Sequence, residues 1–169
     1  MHACCATCSG FLASKLASDY EVAVFYYNPN IFPAAEYARR RDEAEKYFLG
    51  QGYEFIEILG GHDGWLEQVK GLENEPERGK RCLVCYRQRL EKTARYAKEH
   101  NYDIFASTLA ISPHKDAKLI NSLGQELAQT FGVEFLAGDW KKQDGFRQAM
   151  AVSHEHNFYR QSYCGCEYR

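Results

Sequence analysis

Long apolar runs are missing from the sequence, and so is any segment of the kind that directs a protein out of the cell. A membrane-spanning helix needs about 18 or more consecutive apolar residues, whereas the mean hydropathy of this 169-residue chain is −0.54 and no such run occurs. The N-terminal segment Met1–Cys5 shows neither the charged nor the apolar part of a secretory signal. We therefore expect a cytoplasmic protein that crosses no membrane, in which clustered cysteines serve metal or redox chemistry.

A large excess of charge and a nucleotide-binding motif are missing as well. The 21 basic and 23 acidic residues give a net charge of −2, which argues against a protein that coats nucleic acid. The glycine-rich segment Gly60–Gly64 (GGHDG) matches neither a P-loop nor the GxGxxG motif, so no nucleotide cofactor is predicted. The length fits one domain, residues 1–169.

What the sequence does contain is an alternation of strand and helix patterns. β-Branched and aromatic runs such as EVAVFYY predict buried strands, and Pro33 suits the first turn of a helix. The predicted strands are Met1–Ala3, Glu21–Tyr27, Tyr53–Leu59, Asp103–Leu109 and Val133–Ala137. The predicted helices are Ser9–Leu16, Pro33–Gly50, Trp65–Leu72, Arg81–Glu99, Lys115–Phe131 and Gln143–His154. The segment Asn157–Arg169 has no period, which predicts an irregular cysteine-bearing tail.

This alternation is typical of α/β proteins. We predict a single α/β domain with a mostly parallel five-stranded sheet, helices on both faces, and a first strand truncated to Met1–Ala3. Ligands of such sheets bind beyond the carboxyl ends of the strands. The loops predicted at that edge, which we expect to form one shared site, are Cys4–Cys8, Asn28–Asn30, Gly60–Gly64, Leu109–Lys115 and Gly138–Lys142.

The seven cysteines are abundant beside two methionines, and they fall into three groups: Cys4, Cys5 and Cys8; Cys82 and Cys85; Cys164 and Cys166. Adjacent residues have Cα atoms about 3.8 Å apart, too close for an ordinary disulfide. The first two groups lie at predicted helix N-termini, where the helix dipole favours thiolates. Four thiolates suit either a zinc ion or an iron–sulfur cluster, whereas the tight pair in the tail is a redox couple or two further ligands.

Basic residues concentrate in one part of the chain. From Arg78 to Lys98 there are eight basic residues and one acid, with Tyr86 and Tyr96 between them. Local positive charge with interleaved aromatic rings predicts an RNA partner, although a merely solvated helix face is the plain alternative. His114 and Lys115 follow Ser112-Pro113 at a predicted helix start, a position suited to an anion or a proton donor.

Five segments together resemble the QueH family, the cobalamin-independent epoxyqueuosine reductases, in order along nearly the whole chain. They are CCATC (4–8), FYYNPNI (25–31), VKGLENEPERGKRCLVCYRQRLEKTARYA (69–97), STLAISPHK (107–115) and YRQSYCGC (159–166). The resemblance implies reduction of epoxyqueuosine to queuosine at the wobble position of tRNA, with a [4Fe–4S] cluster, a second mononuclear iron and a reducing electron donor. Thr7 stands where the family often has proline. The family also has a longer apolar strand before the cysteine pair, so we expect the true start to lie upstream of Met1.

The resemblance also implies roles for individual residues. Cys4, Cys5, Cys82 and Cys85 would hold the cluster, Cys8 would bind the second iron, and Cys164 and Cys166 would be a redox dithiol or further metal ligands. The reaction also needs a proton donor as the oxygen departs, and His114 and Asp63 are our candidates for it. The residues expected to contact tRNA, on a face from Arg78 to Lys98 and beside it, are Arg81, Arg87, Arg89, Arg95 and Lys115. The alternatives are a zinc-stabilised RNA-binding module and a thiol redox protein that uses no metal in catalysis.

Overall fold

The computed structural model describes residues 1–168, which form five short strands and six α-helices. The strands are β1 (His2–Ala3), β2 (Ala23–Tyr26), β3 (Glu54–Glu57), β4 (Ile104–Phe105) and β5 (Glu134–Phe135). The helices are α1 (Ala6–Leu16), α2 (Ala34–Gly50), α3 (His62–Val69), α4 (Lys80–Glu99), α5 (Ala117–Phe131) and α6 (Gly145–Glu155). A 3-10 helix, Thr108–Ile111, follows β4. The predicted α/β class is confirmed.

All the strand pairs are parallel, but they form two sheets instead of one continuous sheet. One sheet has the order β1-β2-β3 and the other pairs β4 with β5. A single parallel bridge between His2 and Ser107 joins them, with the His2 N–H donating to the carbonyl of Ala106 at 2.8 Å. The prediction of a five-stranded sheet is corrected to three plus two strands, because β1 and β4 are each only two residues long.

Across this bridge the strands lie in the order β3-β2-β1-β4-β5. Successive strands are added on one side of β1 up to β3 and on the other side from β4 onward, so the strand order reverses between β1 and β4. Open α/β folds bind ligands in the crevice at such a reversal. The helices fall into two packed groups, α1 with α2 and α6, and α4 with α3 and α5. The crevice therefore opens where the segments after β1 and β4 meet.

The ionisable residue His2 lies buried where the two sheets meet. Its ring is fully buried, with Nδ1 3.0 Å from the hydroxyl of Ser107 and Nε2 3.2 Å from the carbonyl of Tyr27. Burial, reinforced by the nearby Arg89 charge, lowers the pKa of His2 to about 3. A neutral imidazole therefore ties β1 to both neighbouring strands.

Several predicted boundaries near the crevice are wrong. Helix α1 begins at Ala6 instead of Ser9, because Cys5 and not Ser9 is its N-cap. Three further boundaries differ for local reasons. The strand after Asp103 ends at Phe105 because the Ser107 hydroxyl accepts from the Leu109 N–H at 3.2 Å and starts the 3-10 helix. Helix α3 begins at His62 instead of Trp65, after left-handed Gly60 and Gly61. Helix α5 begins at Ala117, because the Asp116 carboxylate caps the Lys118 and Leu119 N–H groups.

No helix in the described part of the chain combines the length and the apolar character that spanning a bilayer requires.

Candidate metal centre

The first group of cysteines, here called the N-terminal thiol group, consists of Cys4, Cys5 and Cys8. Strand β1 ends at Ala3, so Cys4 lies at the carboxyl edge of the sheet; Cys5 is the N-cap of α1 and Cys8 lies in its first turn. The three Sγ atoms lie within 4.8 Å of one another, and those of Cys4 and Cys5 are 3.9 Å apart. All three thiols are free. A segment of five consecutive residues thus brings together three sulfur atoms that could bind a metal.

The N-terminal thiol group favours one thiolate among three sulfurs. Hydrogen bonds from the Cys5 and Cys8 thiols, with help from the Lys115 and Arg89 charges, hold the pKa of Cys4 well below its ordinary value. The same arrangement raises the pKa of Cys5 to about 12 and raises that of Cys8. A bound metal would compete with the remaining protons for these sulfurs, because metal binding to cysteine requires thiolates.

Two polar side chains contact this group from distant parts of the chain. The Gln161 amide donates to Cys5 Sγ at 3.0 Å, and the Thr108 hydroxyl donates to Cys4 Sγ at 3.8 Å. The Thr7 hydroxyl, one residue before Cys8, reaches the Tyr159 carbonyl at 3.1 Å. The tail and the 3-10 helix therefore close over the loop between β1 and α1.

The other four cysteines form the tail-side thiol group. Cys82 and Cys85 lie in the first two turns of α4, and Cys164 and Cys166 come from the tail. A cavity of about 20 Å³ is lined by these four cysteines together with Trp65, Tyr86 and Arg89. Burial raises the pKa of Cys82, Cys85 and Cys166. Two segments about 80 residues apart in the sequence thus bring four thiols to one cavity.

The tail has no regular secondary structure, as predicted, but buried side chains hold it in place. Arg40 donates to the carbonyls of Tyr163 at 3.1 Å and Cys164 at 3.3 Å, and its Nε is 2.7 Å from Glu36. Asn30 donates to the same Cys164 carbonyl at 3.3 Å. These contacts fix the backbone on which Cys164 stands. Arg169, the last residue of the predicted tail, lies outside the described residues.

Gly165 is required between the two tail cysteines. Its φ of +103° is a conformation that other residues rarely adopt. A Cβ atom there would lie 2.8 Å from Ile31 Cγ1 and 3.1 Å from Ile31 Cα, and the Gly165 carbonyl accepts from the Phe32 N–H at 2.9 Å. The close approach seats the tail on the loop that follows β2.

A cleft of about 500 Å³ adjoins the small cavity and connects the two thiol groups. It lies at the edge where β1 and β4 end. The cysteines on its wall are Cys4, Cys8, Cys82, Cys164 and Cys166, and the cations are Arg40, Arg81, Arg89, Lys115 and Arg160. Glu77 is the one carboxylate among its lining residues in the described chain. The cleft therefore suits an anionic occupant.

Arg81 and Arg89 are not on an exposed RNA-binding face, contrary to the prediction. Each residue is only 3% exposed, because the face of α4 that carries them packs against the loops around the cleft. Arg81 donates to the carbonyls of Leu72, Glu73, Glu75 and Tyr168. Neither guanidinium pairs with a carboxylate within residues 1–168.

The other predicted residues separate into cleft and surface positions. Lys115 and His114 line the cleft, in the loop before α5. Arg87 and Arg95 lie on the outer surface of α4, where they pair with Glu126 at 2.8 Å and Glu91 at 2.9 Å. Asp63 is exposed in the first turn of α3 and lines neither cavity, so the structure does not bring it to the site.

Comparison with known proteins decides the family. The family model described as epoxyqueuosine reductase QueH matches residues 1–169. The chain belongs to the QueH family. It is 39% identical to the epoxyqueuosine reductase QueH of Streptococcus pyogenes serotype M1 over 174 residues, which cover 99% of this chain and 68% of the relative. Membership places the chain among oxidoreductases and confirms the resemblance predicted from its motifs.

Two further relatives agree with this assignment. The QueH of Haemophilus influenzae (strain ATCC 51907 / DSM 11121 / KW20 / Rd) is 39% identical over 170 residues, covering 99% of this chain and 69% of the relative. That of Acinetobacter baylyi (strain ATCC 33305 / BD413 / ADP1) is 38% identical over 170 residues, covering 99% and 78%. Both carry the name epoxyqueuosine reductase QueH.

The residues at the site of this QueH-family chain fit a thiolate-bound metal centre. Six free cysteines line the joined cavities, and Cys5 lies beside Cys4 and Cys8, so the site is supplied with soft ligands. Buried charges are ordinarily paired or bound to an ion. Arg81 and Arg89 have no carboxylate partner in residues 1–168, so a negatively charged occupant such as a thiolate-ligated centre would supply the missing counter-charge.

Sequence reasoning missed four residues that shape this QueH-family site. Asn28 and Asn30 lie in a loop that the sequence placed correctly at the carboxyl edge of the sheet. Only the structure shows that both side chains are buried and donate to backbone carbonyls at or next to cysteines. Arg40 sits in a helix of ordinary charge pattern, where no local signal distinguishes it from exposed Arg39 and Lys46. Gln161 belongs to the YRQSYCGC segment, which marks a motif without revealing the contact to Cys5.

Proposed function

We propose that this chain reduces epoxyqueuosine to queuosine at the wobble position of tRNA. The observation that carries the proposal is the cleft of about 500 Å³ at the strand-order reversal of a QueH-family chain, with thiols and buried cations on its wall. Ligand pockets typically enclose about 300–1,000 Å³. The volume is therefore suitable for one modified base extruded from a tRNA loop.

The proposed cofactors are a [4Fe–4S] cluster and a second mononuclear iron. We assign Cys4, Cys5, Cys82 and Cys85 to the cluster and Cys8 to the second iron, with Cys164 and Cys166 as a redox dithiol or as further ligands. When bound, these groups would supply single electrons at low potential and a Lewis acid for the epoxide oxygen. The support from this chain is its set of free thiols and the buried guanidinium groups of Arg81 and Arg89, which have no carboxylate partner within residues 1–168.

The protein's own contribution is to bind the base, exclude water and deliver protons. Converting an epoxide into an alkene removes one oxygen atom as water and consumes two electrons and two protons. His114 and Lys115 line the cleft and are the proposed proton donors, whereas Asp63 stands outside it and is withdrawn from that role. Arg78 Nε donates to the His114 carbonyl at 2.9 Å, which holds the loop that carries both residues.

Binding of tRNA would use two sets of cations at different depths. Arg87 and Arg95 on the outer face of α4 would contact phosphates and position the RNA. Arg81, Arg89 and Lys115 line the cleft and would act on the occupant of the site instead of the phosphate backbone. Arg160, whose Nη1 is 3.4 Å from His154 Nε2 on the exposed surface, extends positive charge to the tail side of the cleft.

The experiment is metal and sulfide analysis of protein reconstituted without oxygen, followed by turnover of epoxyqueuosine-containing tRNA with a chemical reductant. We expect about four or five irons and four sulfides per chain, and alkene product that depends on them. One zinc per chain without sulfide would favour a zinc-stabilised RNA-binding module. Equal turnover by metal-free protein would favour a thiol redox protein, and either result would overturn the proposal.

A further inference from the structure

Arg89 and Asn28 form a continuous link between the two thiol groups. The Asn28 amide donates to the carbonyl of Ala3, the residue before Cys4, at 2.9 Å. Its Oδ1 accepts from Arg89 Nη2 at 2.6 Å, and Arg89 Nη1 is 4.0 Å from Cys85 Sγ. The path thus runs from the loop of the N-terminal thiol group, through two buried side chains, to a cysteine of the tail-side thiol group.

The same guanidinium is a charge without a carboxylate partner in the described chain. Arg89 is 3% exposed, its Nε has no hydrogen-bond partner within residues 1–168, and the residue lines both cavities. An isolated buried cation is costly unless an anion lies nearby. Asn28 supplies only a neutral oxygen, so the sulfurs are the partners that remain for the charge of Arg89.

We propose that Arg89 is a positioning residue that holds the two thiol groups in register and supplies the counter-charge for the metal centre bound by them. The inference rests on the proposed function for the identity of the centre, but the role of Arg89 would be the same for any metal bound through these thiolates. When a divalent metal replaces the protons of more than two neutral thiols, the site becomes more negative, and a fixed cation stabilises that charge. For a redox centre the same cation stabilises the more negative, reduced form and raises its reduction potential.

The test compares Arg89→Met, Arg89→Lys and the wild-type protein in two measurements. Cobalt(II) titration of metal-free protein, read from thiolate-to-cobalt charge-transfer absorbance, gives metal affinity; redox titration of the anaerobically reconstituted protein gives the midpoint potential. We expect Arg89→Met to weaken cobalt binding by about tenfold or more, as for other residues that orient metal ligands, and to lower the potential. Arg89→Lys keeps the charge, so its potential should stay closer to that of the wild type.

Leu90→Ala is the matched structural control, because Leu90 is fully buried in the next position of α4 and lines neither cavity. It should lower the melting temperature while leaving cobalt affinity and potential unchanged. If Arg89→Met behaves like Leu90→Ala, Arg89 is only a core residue and the proposal fails.

A second variant covers the case in which Arg89→Met does not fold. Asn28→Asp retains an oxygen acceptor for Arg89, loses the donor to the Ala3 carbonyl and places a carboxylate beside the guanidinium, so the positive charge of Arg89 is neutralised. We expect the reduction potential and the cobalt affinity to fall, as for Arg89→Met, and unchanged values would overturn the proposal. Absence of iron and turnover in the wild type would contradict the proposed function, while the cobalt measurement would still decide the role of Arg89.

Discussion

The two thiol groups are built in opposite ways. The N-terminal thiol group comes from five consecutive residues at a strand-to-helix turn, and its three sulfurs lie within 4.8 Å of one another. The tail-side thiol group joins the first turns of α4 to an irregular segment about 80 residues later, which Arg40, Asn30 and Arg81 fasten in place. Local geometry makes the first group, whereas long-range contacts make the second. Changes remote from any cysteine should therefore damage the second group and spare the first.

The largest effect on cofactor binding should come from single variants that remove one sulfur from either group. Cys4→Ser and Cys82→Ser should both abolish the visible absorbance of anaerobically reconstituted protein and its turnover, because the proposed cluster draws ligands from both groups. Cys8→Ser should keep the absorbance and lose about one iron per chain. Absorbance and iron analysis check this, and a Cys82→Ser protein with full absorbance would remove Cys82 from the ligand set.

Arg40→Met should distinguish the two thiol groups more clearly than a cysteine variant, because it should disturb the tail-side thiol group and leave the N-terminal thiol group intact. Removing the guanidinium takes the cation away from half-buried Glu36 and one donor from each of two tail carbonyls, which should cost about 3 kcal/mol of unfolding free energy. Urea denaturation measures the loss, and proteolysis should cut the tail faster. Lys46→Met, an exposed position on the same helix, is the control. Equal stability of the two variants would contradict the anchoring role of Arg40.

Gly165→Ala should produce a smaller and more local disturbance. The new methyl group meets Ile31 in a backbone conformation unfavourable to alanine, which should cost about 1–3 kcal/mol. Turnover should fall while cobalt binding by the N-terminal thiol group persists. Gly50→Ala, at the end of α2 with open space around the new Cβ, should be close to neutral. A Gly165→Ala protein as active as Gly50→Ala would show that the tail tolerates displacement.

The smallest effect on the protein itself should follow charge reversal on the outer face of α4. Arg87→Glu with Arg95→Glu removes two exposed ion pairs, which contribute little to stability because water and salt screen them. Binding of tRNA should weaken, and the slope of log affinity against log salt should fall by about 0.9 per lost phosphate contact. A salt titration checks this against Lys46→Glu on α2. An unchanged slope would mean that RNA approaches from another side.

The sequence was sufficient for features that depend on neighbouring residues. Helix α4, the thiol pair at its start and the carboxyl-edge loops follow from periodicity and spacing, and the structure contains them. The burial of Arg81 and Arg89 could not be predicted, because basic residues on a helix give the same pattern on an exposed and on a buried face. Only the loops packed around the cleft decide between the two faces.

The grouping of the cysteines shows the same limit. Spacing alone pairs Cys82 with Cys85 and Cys164 with Cys166, but it carries no information on which pairs meet. The contact of the tail with Arg40 joins residues 123 and 124 positions apart, and no local signal encodes it. Asp63 was a candidate because it lies in a glycine-rich loop at the correct edge, yet α3 begins early and leaves its side chain in solvent.

The contact between Cys5 and Gln161 also has a consequence for the order of events during synthesis, because it spans 156 residues. At translation rates of about 5–20 residues per second, the interval between the two residues is about 8–30 s. Throughout it the N-terminal thiols are accessible to oxidants and stray metal ions without the segment that later covers them. Loading of the proposed metal centre would therefore follow translation of the tail, and until then the nascent thiols would need separate protection.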